Sequence, residues 1–274
     1  MYKNQQISVS GISSCVRTSD EGMNIRQSQI LDLIEKQGRV SIAGIREAFD
    51  VSEMTVRRDL AYLEENGYVT RVHGGVIAGR KLFFDSSFTQ RKREHVEEKR
   101  KIACKAVSLI EPGENIILDT GTTTLYVAEE LVKLDLVITV ATTSLAVAST
   151  LFNSNMEVLI FGGFLRREIP DLFGPLTESN LQEFHAHKLF MGCDGLTAEE
   201  GFFTSDLHIS KIEERMATTS DRVIVVTDSS KFGRKSFVRY AETHAVHTLI
   251  TDSNVSEKYI RDFRQKGVEV IIAR

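Results

Sequence analysis

The sequence predicts an α/β protein in two parts, a small N-terminal winged helix-turn-helix ahead of a larger C-terminal α/β domain. Three short amphipathic stretches between residue 25 and about residue 80, then an alternating run that breaks on two glycines, carry the first assignment. From Ile102 onward short apolar runs alternate with helical stretches, the pattern of a largely parallel sheet covered on both faces. The 274 residues suffice for both parts, and 42% apolar with 26% charged residues excludes general disorder, collagen-like repeats and coiled coil. Four segments are expected: residues 1–22 as an extension, 23–80 as the winged helix-turn-helix, 81–101 as a basic connector and 102–274 as the α/β domain.

Residues 1–22 are rich in Ser, Gly and Asn and show no periodicity, so disorder is expected there. A well-patterned helix begins just after Met23, which raises the hypothesis that translation starts at that methionine; N-terminal sequencing of protein from the native host tests it. The first helix, roughly residues 26–36, places Ile30, Leu33 and Ile34 on one face and stops at Gly38, a residue suited to a left-handed cap. The second, roughly 41–49, has Ser41 as N-cap and Ile42, Ile45 and Phe49 at spacings of three and four. After Asp50-Val51-Ser52 the third helix takes Ser52 as its N-cap, turns Val56, Leu60 and Leu63 inward and ends at Asn66-Gly67. Residues 68–76 alternate and turn on Gly74-Gly75, as a wing does.

Burying Val56, Leu60 and Leu63 turns Met54, Arg58, Ala61 and Tyr62 outward and leaves Thr55 and Arg57 on the flanks. Short residues beside two arginines suit the floor of a DNA groove. A guanidinium bonds guanine or grips a phosphate, and Thr55 near the helix start reaches a phosphate or a thymine methyl. The expected DNA contacts are Ser52, Met54, Thr55, Arg57 and Arg58, with Arg71 and His73 on the wing. The competing reading makes the two arginines solvated charges paired with Asp59 or Glu64, and His73 a turn residue. The preceding helix and the following wing weigh against it for the arginines.

The net charge of −4 is uneven. Residues 23–80 carry eight Lys/Arg and eight Asp/Glu, residues 81–101 seven and four, and residues 102–274 seventeen and twenty-four. With no global positive field, DNA binding has to come from a local arrangement on the N-terminal part. The Arg91-Lys92-Arg93 run reads as a solvated helix face more readily than as a DNA-backbone contact. Cys15, Cys104 and Cys193 are widely spaced and odd in number, which argues against a disulfide framework and a structural zinc site. No metal and no cofactor is expected. No run approaches the ~18 apolar residues of a membrane span, so no membrane association and a cytoplasmic location are expected.

In the α/β part, strands are expected at residues 115–118, 136–139, 157–161, 188–191, 222–227, 248–251 and 268–272. Ligands of such sheets sit outside the carboxyl ends of the strands. At the first of these ends Asp119-Thr120-Gly121-Thr122-Thr123-Thr124 leads from a buried strand through a glycine turn into a helix. Free amides at that helix start, with threonine hydroxyls, form a neutral cradle for phosphate. The Gly-Lys-Ser/Thr ending of a Walker loop is missing, and so is the Gly-x-Gly-x-x-Gly of a dinucleotide site. A well-capped turn with no ligand is the competing reading. Four further polar turns lie at strand ends: Thr142-Thr143-Ser144, Gly162-Gly163 with Arg166, Gly192-Cys193-Asp194-Gly195, and Asp228-Ser229-Ser230-Lys231-Phe232-Gly233. Each alone is a turn signal, but five at one sheet edge describe a pocket. Lys231 or Arg166 would neutralise a phosphate, and Asp119 or Asp194 would accept hydroxyl hydrogens from a sugar or polyol. The expected effector-binding residues are Asp119, Gly121, Thr122, Thr123, Thr124, Thr143, Gly163, Arg166, Asp194, Gly195 and Lys231, and none is assigned a catalytic role.

Residues 51–60, with Leu63-Glu64, Gly67 and Arg71-Val72-His73-Gly74-Gly75, resemble the DNA-binding signature of the DeoR family of bacterial transcription regulators. Glu98-Lys99, Ile102-Ala103, residues 119–124, Gly162-Gly163-Phe164-Leu165-Arg166 and residues 228–233 are similar to its effector domain. The resemblance covers nearly the whole chain after Met23. It implies a repressor of a carbohydrate operon, modulated by a phosphorylated sugar, with a C-terminal domain similar in fold to ribose-5-phosphate isomerase. Residues 188–195 and the C-terminal region look closest to members that handle polyol or amino-sugar phosphates. Three departures bear on the effector. Thr142-Thr143-Ser144 stands where the family often has Thr-Asn-Ser. Thr204-Ser205-Asp206-Leu207 stands where Thr-x-Asn-Glu is frequent, leaving Asp206 to compensate for the carboxylate absent at Leu207. The acid-to-lysine order common in the next helix is replaced by Lys211 followed by Glu213.

These readings predict a ligand-gated repressor that binds a double-stranded DNA operator as a homodimer or homotetramer. Its C-terminal domains make the oligomer, its half-sites lie about one helical turn or a multiple apart, and the effector acts on the DNA heads through the connector. A sugar-phosphate isomerase carrying a DNA-binding module is the alternative, with Asp119 or Asp194 as the base that moves a proton beside a carbonyl. A protein-binding adaptor with no ligand is the third reading, and it makes the Thr122–Thr124 loop dispensable.

Overall fold

A computed structural model describes residues 24–65, 68–72, 74–78, 86–166 and 169–274. The disorder expected for residues 1–22 and the helix end expected at Asn66-Gly67 lie outside the described residues, as does His73. The chain divides into two units, residues 1–83 and 84–274.

In the first unit α1 (Ile25–Gln37) opens on Asn24, whose side chain accepts the Gln27 amide while the Gln27 side chain accepts the Asn24 amide. It closes on Gly38 at φ 74°. β1 (Arg39–Val40) follows, then α2 (Ile42–Phe49), capped by Ser41 through the Gly44 amide at 3.0 Å. α3 (Glu53–Glu65) is capped by Ser52, whose Oγ accepts the Thr55 amide at 3.2 Å. β2 (Val69–Val72) and β3 (Gly75–Ala78) form the antiparallel wing, and β1 adds a third strand in the order β1-β3-β2. Two residues carry no periodicity, which is why β1 is absent from the sequence expectation. Its pairing explains Gly75, where a Cβ would lie 2.7 Å from the Val40 carbonyl oxygen. Ile30, Ile34, Ile45, Val56, Leu60 and Leu63 form the core with Val69 and Val76, while Leu33, Ile42 and Phe49 are only half-buried.

The second unit opens with α4 (Ser86–Arg93) and α5 (Val96–Val107). Phe88, Ile102, Ala103 and Ala106 are buried in its core, so residues 86–101 pack as part of the domain instead of acting only as a connector. A seven-stranded, wholly parallel sheet follows. Its strands are β4 (Asn115–Leu118), β5 (Thr139–Thr142), β6 (Glu157–Ile160), β9 (Ala186–Met191), β12 (Ser220–Val226), β14 (Thr248–Asp252) and β15 (Glu269–Ala273), in the order β15-β14-β12-β9-β4-β5-β6. The strand expected at 136–139 is β5, displaced by three residues. Register with β4 pairs Asn115 with Thr139 and Leu118 with Thr142, and Leu136-Val137-Ile138 is the approach loop, with Val137 exposed.

Both sheet faces are covered, and alternation along the strands sorts the side chains between them. Ile116, Leu118, Ile224 and Val226 pack with α5, α6 (Thr122–Leu131) and α7 (Leu145–Leu151). Ile117, Val223 and Val225 pack on the other face with α8 (Pro175–Gln182), α9 (Leu207–Thr218) and α10 (Glu257–Gln265). Two small sheets complete the unit: the β7 (Phe164–Leu165) and β8 (Leu172–Phe173) ribbon, and the antiparallel β10 (Gly195–Thr197), β11 (Gly201–Thr204) and β13 (Val238–Ala241). From β4 the chain runs to β5 and β6 on one side, while β9, β12, β14 and β15 fill the other. The carboxyl ends of β4 and β9 therefore flank the topological switch point, where open α/β sheets leave a crevice.

Candidate functional site

In the first unit the buried Val56, Leu60 and Leu63 fix the rotation of α3. Met54, Arg57 and Arg58 are exposed on its opposite side, and Met54 is 76% exposed. Ala61 and Tyr62, expected outward, are half-buried. Arg57 is held by Glu53 one turn earlier at 2.7 Å. Glu64 pairs with Arg71 at 2.9 Å, and the buried Asp59 receives Arg26 at 2.7 Å and Gln27 at 3.2 Å. Among the described residues neither Arg57 nor Arg58 pairs with Asp59 or Glu64, because Arg26, Gln27 and Arg71 hold those carboxylates. The Arg58 guanidinium makes no hydrogen bond or ion pair among the described residues.

In the second unit β4 delivers Asp119 to the sheet edge, where its amide donates to the Phe190 carbonyl of β9 at 3.0 Å. The chain turns through Thr120 and Gly121 into α6, exposing the first amides of that helix to the crevice. β9 brings Gly192, Cys193 and Asp194 alongside. β12 runs into Thr227 and Asp228, which caps the short 3-10 turn Ser229–Lys231 and so aims Lys231 at the same place. The α4–α5 turn adds Arg91, Glu94, His95 and Lys99, while β11 and α9 add Thr204, Ser205, Asp206 and Glu213. Together they line one cleft of about 810 Å³, its open mouth included. His95 sits in the left-handed region at φ 53°, a conformation that costs a non-glycine residue about 1–3 kcal/mol and concentrates at functional sites.

The DeoR-like helix-turn-helix domain matches residues 26–81, and the DeoR C-terminal sensor domain matches residues 94–253. The chain belongs to the DeoR family. Similar relatives include a candidate repressor of the aga operon from Escherichia coli O157:H7, 34% identical over 254 residues covering 92% of this chain and 94% of the relative. Another is the lactose phosphotransferase system repressor of Staphylococcus epidermidis, 33% identical over 251 residues covering 90% and 98%. Among solved structures, ribose 5-phosphate isomerase A of Methanocaldococcus jannaschii is similar with a TM-score of 0.39 and 19% identity, over 51% of this chain and 55% of that one.

In this DeoR-family sensor domain the cleft brings together Asp119, Gly121, Thr122, Thr123, Arg166, Asp194 and Lys231 of the residues expected from sequence. The other four do not line it. Thr124 is fully buried with its hydroxyl turned to the Gly121 carbonyl at 3.0 Å, and Thr143 is buried against the Thr120 hydroxyl at 3.2 Å. Gly163 and Gly195 are packing glycines: an added Cβ would lie 2.1 Å from Thr177 Oγ1 in one case and 2.6 Å from the Arg234 carbonyl oxygen in the other. Arg166 lines the cleft but is committed, paired with the buried Asp171 and with Asp206 at 2.7 Å. Asp194 is committed likewise, accepting from Ser205 at 2.8 and 2.7 Å and facing Arg91 at 3.3 Å. The Lys231 ammonium makes no hydrogen bond or ion pair among the described residues.

Sequence reasoning missed Arg91, Lys99 and Glu213 as cleft residues. Arg91 belongs to a basic run read as a solvated face, and only folding shows that it points at Asp194. The reversed order of Lys211 and Glu213 was the available signal for the third: Lys211 is exposed and Glu213 buried. Burial pushes the Asp119 carboxyl up to about 7, with Asp171 adding to it, and burial followed by Asp119 and Asp194 pushes Glu213 up as well. Burial also pushes the Cys193 thiol up to about 12, so it is a neutral wall group. Cys104 is exposed, and Cys15 lies outside the described residues.

Lys99 is buried, and its ammonium donates to the carbonyls of Arg91 and of Glu94, tying down the turn that supplies Arg91 and His95. Burial lowers it to about 8, helped by Lys231 and opposed by Asp228. The folded chain therefore holds fewer protons than the unfolded chain between about pH 8 and the ordinary lysine value of 10.5. Stability gains across that window as pH rises, on the order of 2 kcal/mol from this group. Urea unfolding at pH 7.5 and pH 10 should show the gain in the natural chain and lose it in Lys99→Met; an equal pH response in both would remove Lys99 as its source.

Proposed function

We propose that this chain is a cytoplasmic transcriptional repressor of a carbohydrate operon, whose operator binding is modulated by a phosphorylated sugar or polyol seated in the cleft. The observation that carries the reading is the juxtaposition of an unpaired Lys231 ammonium with the amide-lined start of α6 at Gly121–Thr123, around one crevice at the switch point. A dianionic phosphate ester supplies what that arrangement lacks. Thr122 and Thr123 add hydroxyls, and Asp119 and Glu213 line the same cleft. On this reading Ser52, Met54, Thr55, Arg57 and Arg58 face the DNA groove while Arg71 and His73 serve the wing, and the protein acts as a homodimer or homotetramer on paired half-sites. The effector changes operator affinity by a coupling of about 1–3 kcal/mol.

The decisive experiment is fluorescence anisotropy on DNA from upstream of the protein's own gene, titrated with sugar, polyol and amino-sugar phosphates at fixed salt. One phosphate ester is expected to change the affinity while its unphosphorylated form does not. Lys231→Gln should weaken that response by about tenfold or more, the worth of a charge-assisted hydrogen bond. Specific DNA binding that no phosphate ester alters would overturn the effector assignment. Turnover is not part of the proposal. Conversion of a sugar phosphate followed by NMR, lost in Asp194→Asn, would replace it with the isomerase reading.

A further inference from the structure

The outer side of α3 carries one side chain that neither charge nor capping explains. Glu53 and Arg57 hold each other at 2.7 Å, and the Arg58 guanidinium has no partner among the described residues. Ser52 and Thr55 spend their hydroxyls on the helix start: the two oxygens share a hydrogen bond at 2.9 Å, and Ser52 Oγ also accepts the Thr55 amide at 3.2 Å. Thr55, Ala61 and Tyr62 are half-buried, and Val56, Leu60 and Leu63 are in the core. Met54 is thus the one exposed apolar side chain among the described residues of α3, with 76% of its surface in water. It precedes Arg58 by four residues, so the two are neighbours on one face of the helix.

We propose that Met54 is a specificity-determining residue that reads the C5 methyl group of a thymine in each operator half-site. The inference rests on the operator-binding reading above and names the base group that one side chain recognises. A single exposed apolar residue is ordinary on a protein surface, and its place gives this one a role. Residues near the start of the second helix of a helix-turn-helix meet base edges. Among the groups that base pairs present in the major groove, the thymine methyl is the apolar one. Covering it removes apolar surface from water on both partners, and the unbranched thioether side chain adapts its shape to the contact. Thr55, expected from sequence to reach that methyl, is half-buried with its hydroxyl tied to Ser52. Helix geometry also sets the spacing. Four residues of helix rise about 6 Å, and bases along one strand lie about 3.4 Å apart, so the methyl should lie within about two base pairs of the guanine that Arg58 is expected to bond.

The test is fluorescence anisotropy of the full chain on the operator footprinted upstream of its own gene, each thymine being replaced in turn by deoxyuridine, which lacks only the methyl group. At one position in each half-site the natural chain should lose about three- to fivefold in affinity, the worth of one buried methyl. Met54→Ala should bind the thymine operator more weakly by a similar factor and show no further loss with deoxyuridine at that position. Met54→Leu should keep the preference for thymine there, and so should Thr55→Ser, which removes the Thr55 methyl and retains its hydroxyl. Matching thermal melts confirm that the variants fold, as expected for an exposed side chain. A methyl preference that survives in Met54→Ala, one that disappears in Thr55→Ser, or the lack of any methyl-sensitive position overturns the assignment and leaves the operator reading standing. Equal binding of operator and scrambled DNA by the natural chain sinks the operator reading, and this inference with it.

Discussion

Arg58→Ala is expected to lower operator affinity by about 1–3 kcal/mol for every head that occupies a half-site, about 5- to 150-fold per contact. The size follows from what surrounds the side chain. Arg58 stands on the exposed side of α3 with no partner among the described residues, so its guanidinium is free to bond a guanine edge. Arg57 on the same helix is engaged by Glu53, and reaching DNA would require breaking an exposed pair worth at most about 1 kcal/mol. Arg57→Ala should therefore cost less and act more evenly across DNA sequences. Anisotropy on operator and on scrambled DNA at one salt concentration separates the two: Arg58→Ala removes the difference between them, and Arg57→Ala lowers both. Effector binding by Arg58→Ala, measured by calorimetry, should equal that of the natural chain. If operator and effector binding fall together, Arg58 is a folding residue and its assignment to the groove is wrong.

The α3 face was legible in sequence because helical periodicity fixes a rotation once three inward residues are known. Val56, Leu60 and Leu63 are fully buried, and Met54 and Arg58 stand opposite as the pattern requires. The cleft was legible in part. Asp119 to Thr123 form a contiguous strand-to-helix turn, so local sequence carries their placement. Thr124 follows the same motif by one residue, yet helix geometry turns it inward to the Gly121 carbonyl. Arg91, Lys99 and Glu213 come from elements remote in sequence, and apart from the reversed order of Lys211 and Glu213 nothing local tells a helix position facing a cleft from one facing water. Gly163 and Gly195 show the converse limit. Both read as turn signals, and their cause is a neighbouring chain segment that leaves no room for a Cβ.

Arg166→Met is expected to destabilise the sensor domain by about 3–5 kcal/mol, because it removes one half of a buried ion pair and strands the other. Asp171 is 1% exposed, and burial already raises its carboxyl pKa against the pull of Arg166. Without the guanidinium that carboxyl has no charge partner, and Asp206 keeps only the amides of His208 and Ile209 that it caps at 2.8 and 3.3 Å. The carboxyl of Asp171 should then hold its proton to higher pH than in the natural chain. A group whose folded pKa lies above its unfolded value stabilises the folded state only below that range, so the deficit of Arg166→Met should shrink as pH falls from 8 toward 5. Adding Asp171→Asn to Arg166→Met should recover much of the loss at pH 8, since an amide needs no counter-charge. Urea unfolding of the natural chain, the single variant and the double variant at both pH values measures all three expectations. A deficit below about 1 kcal/mol would mean that the pair is as weak as an exposed one. Arg166 would then be available to a phosphate after all, alongside Lys231.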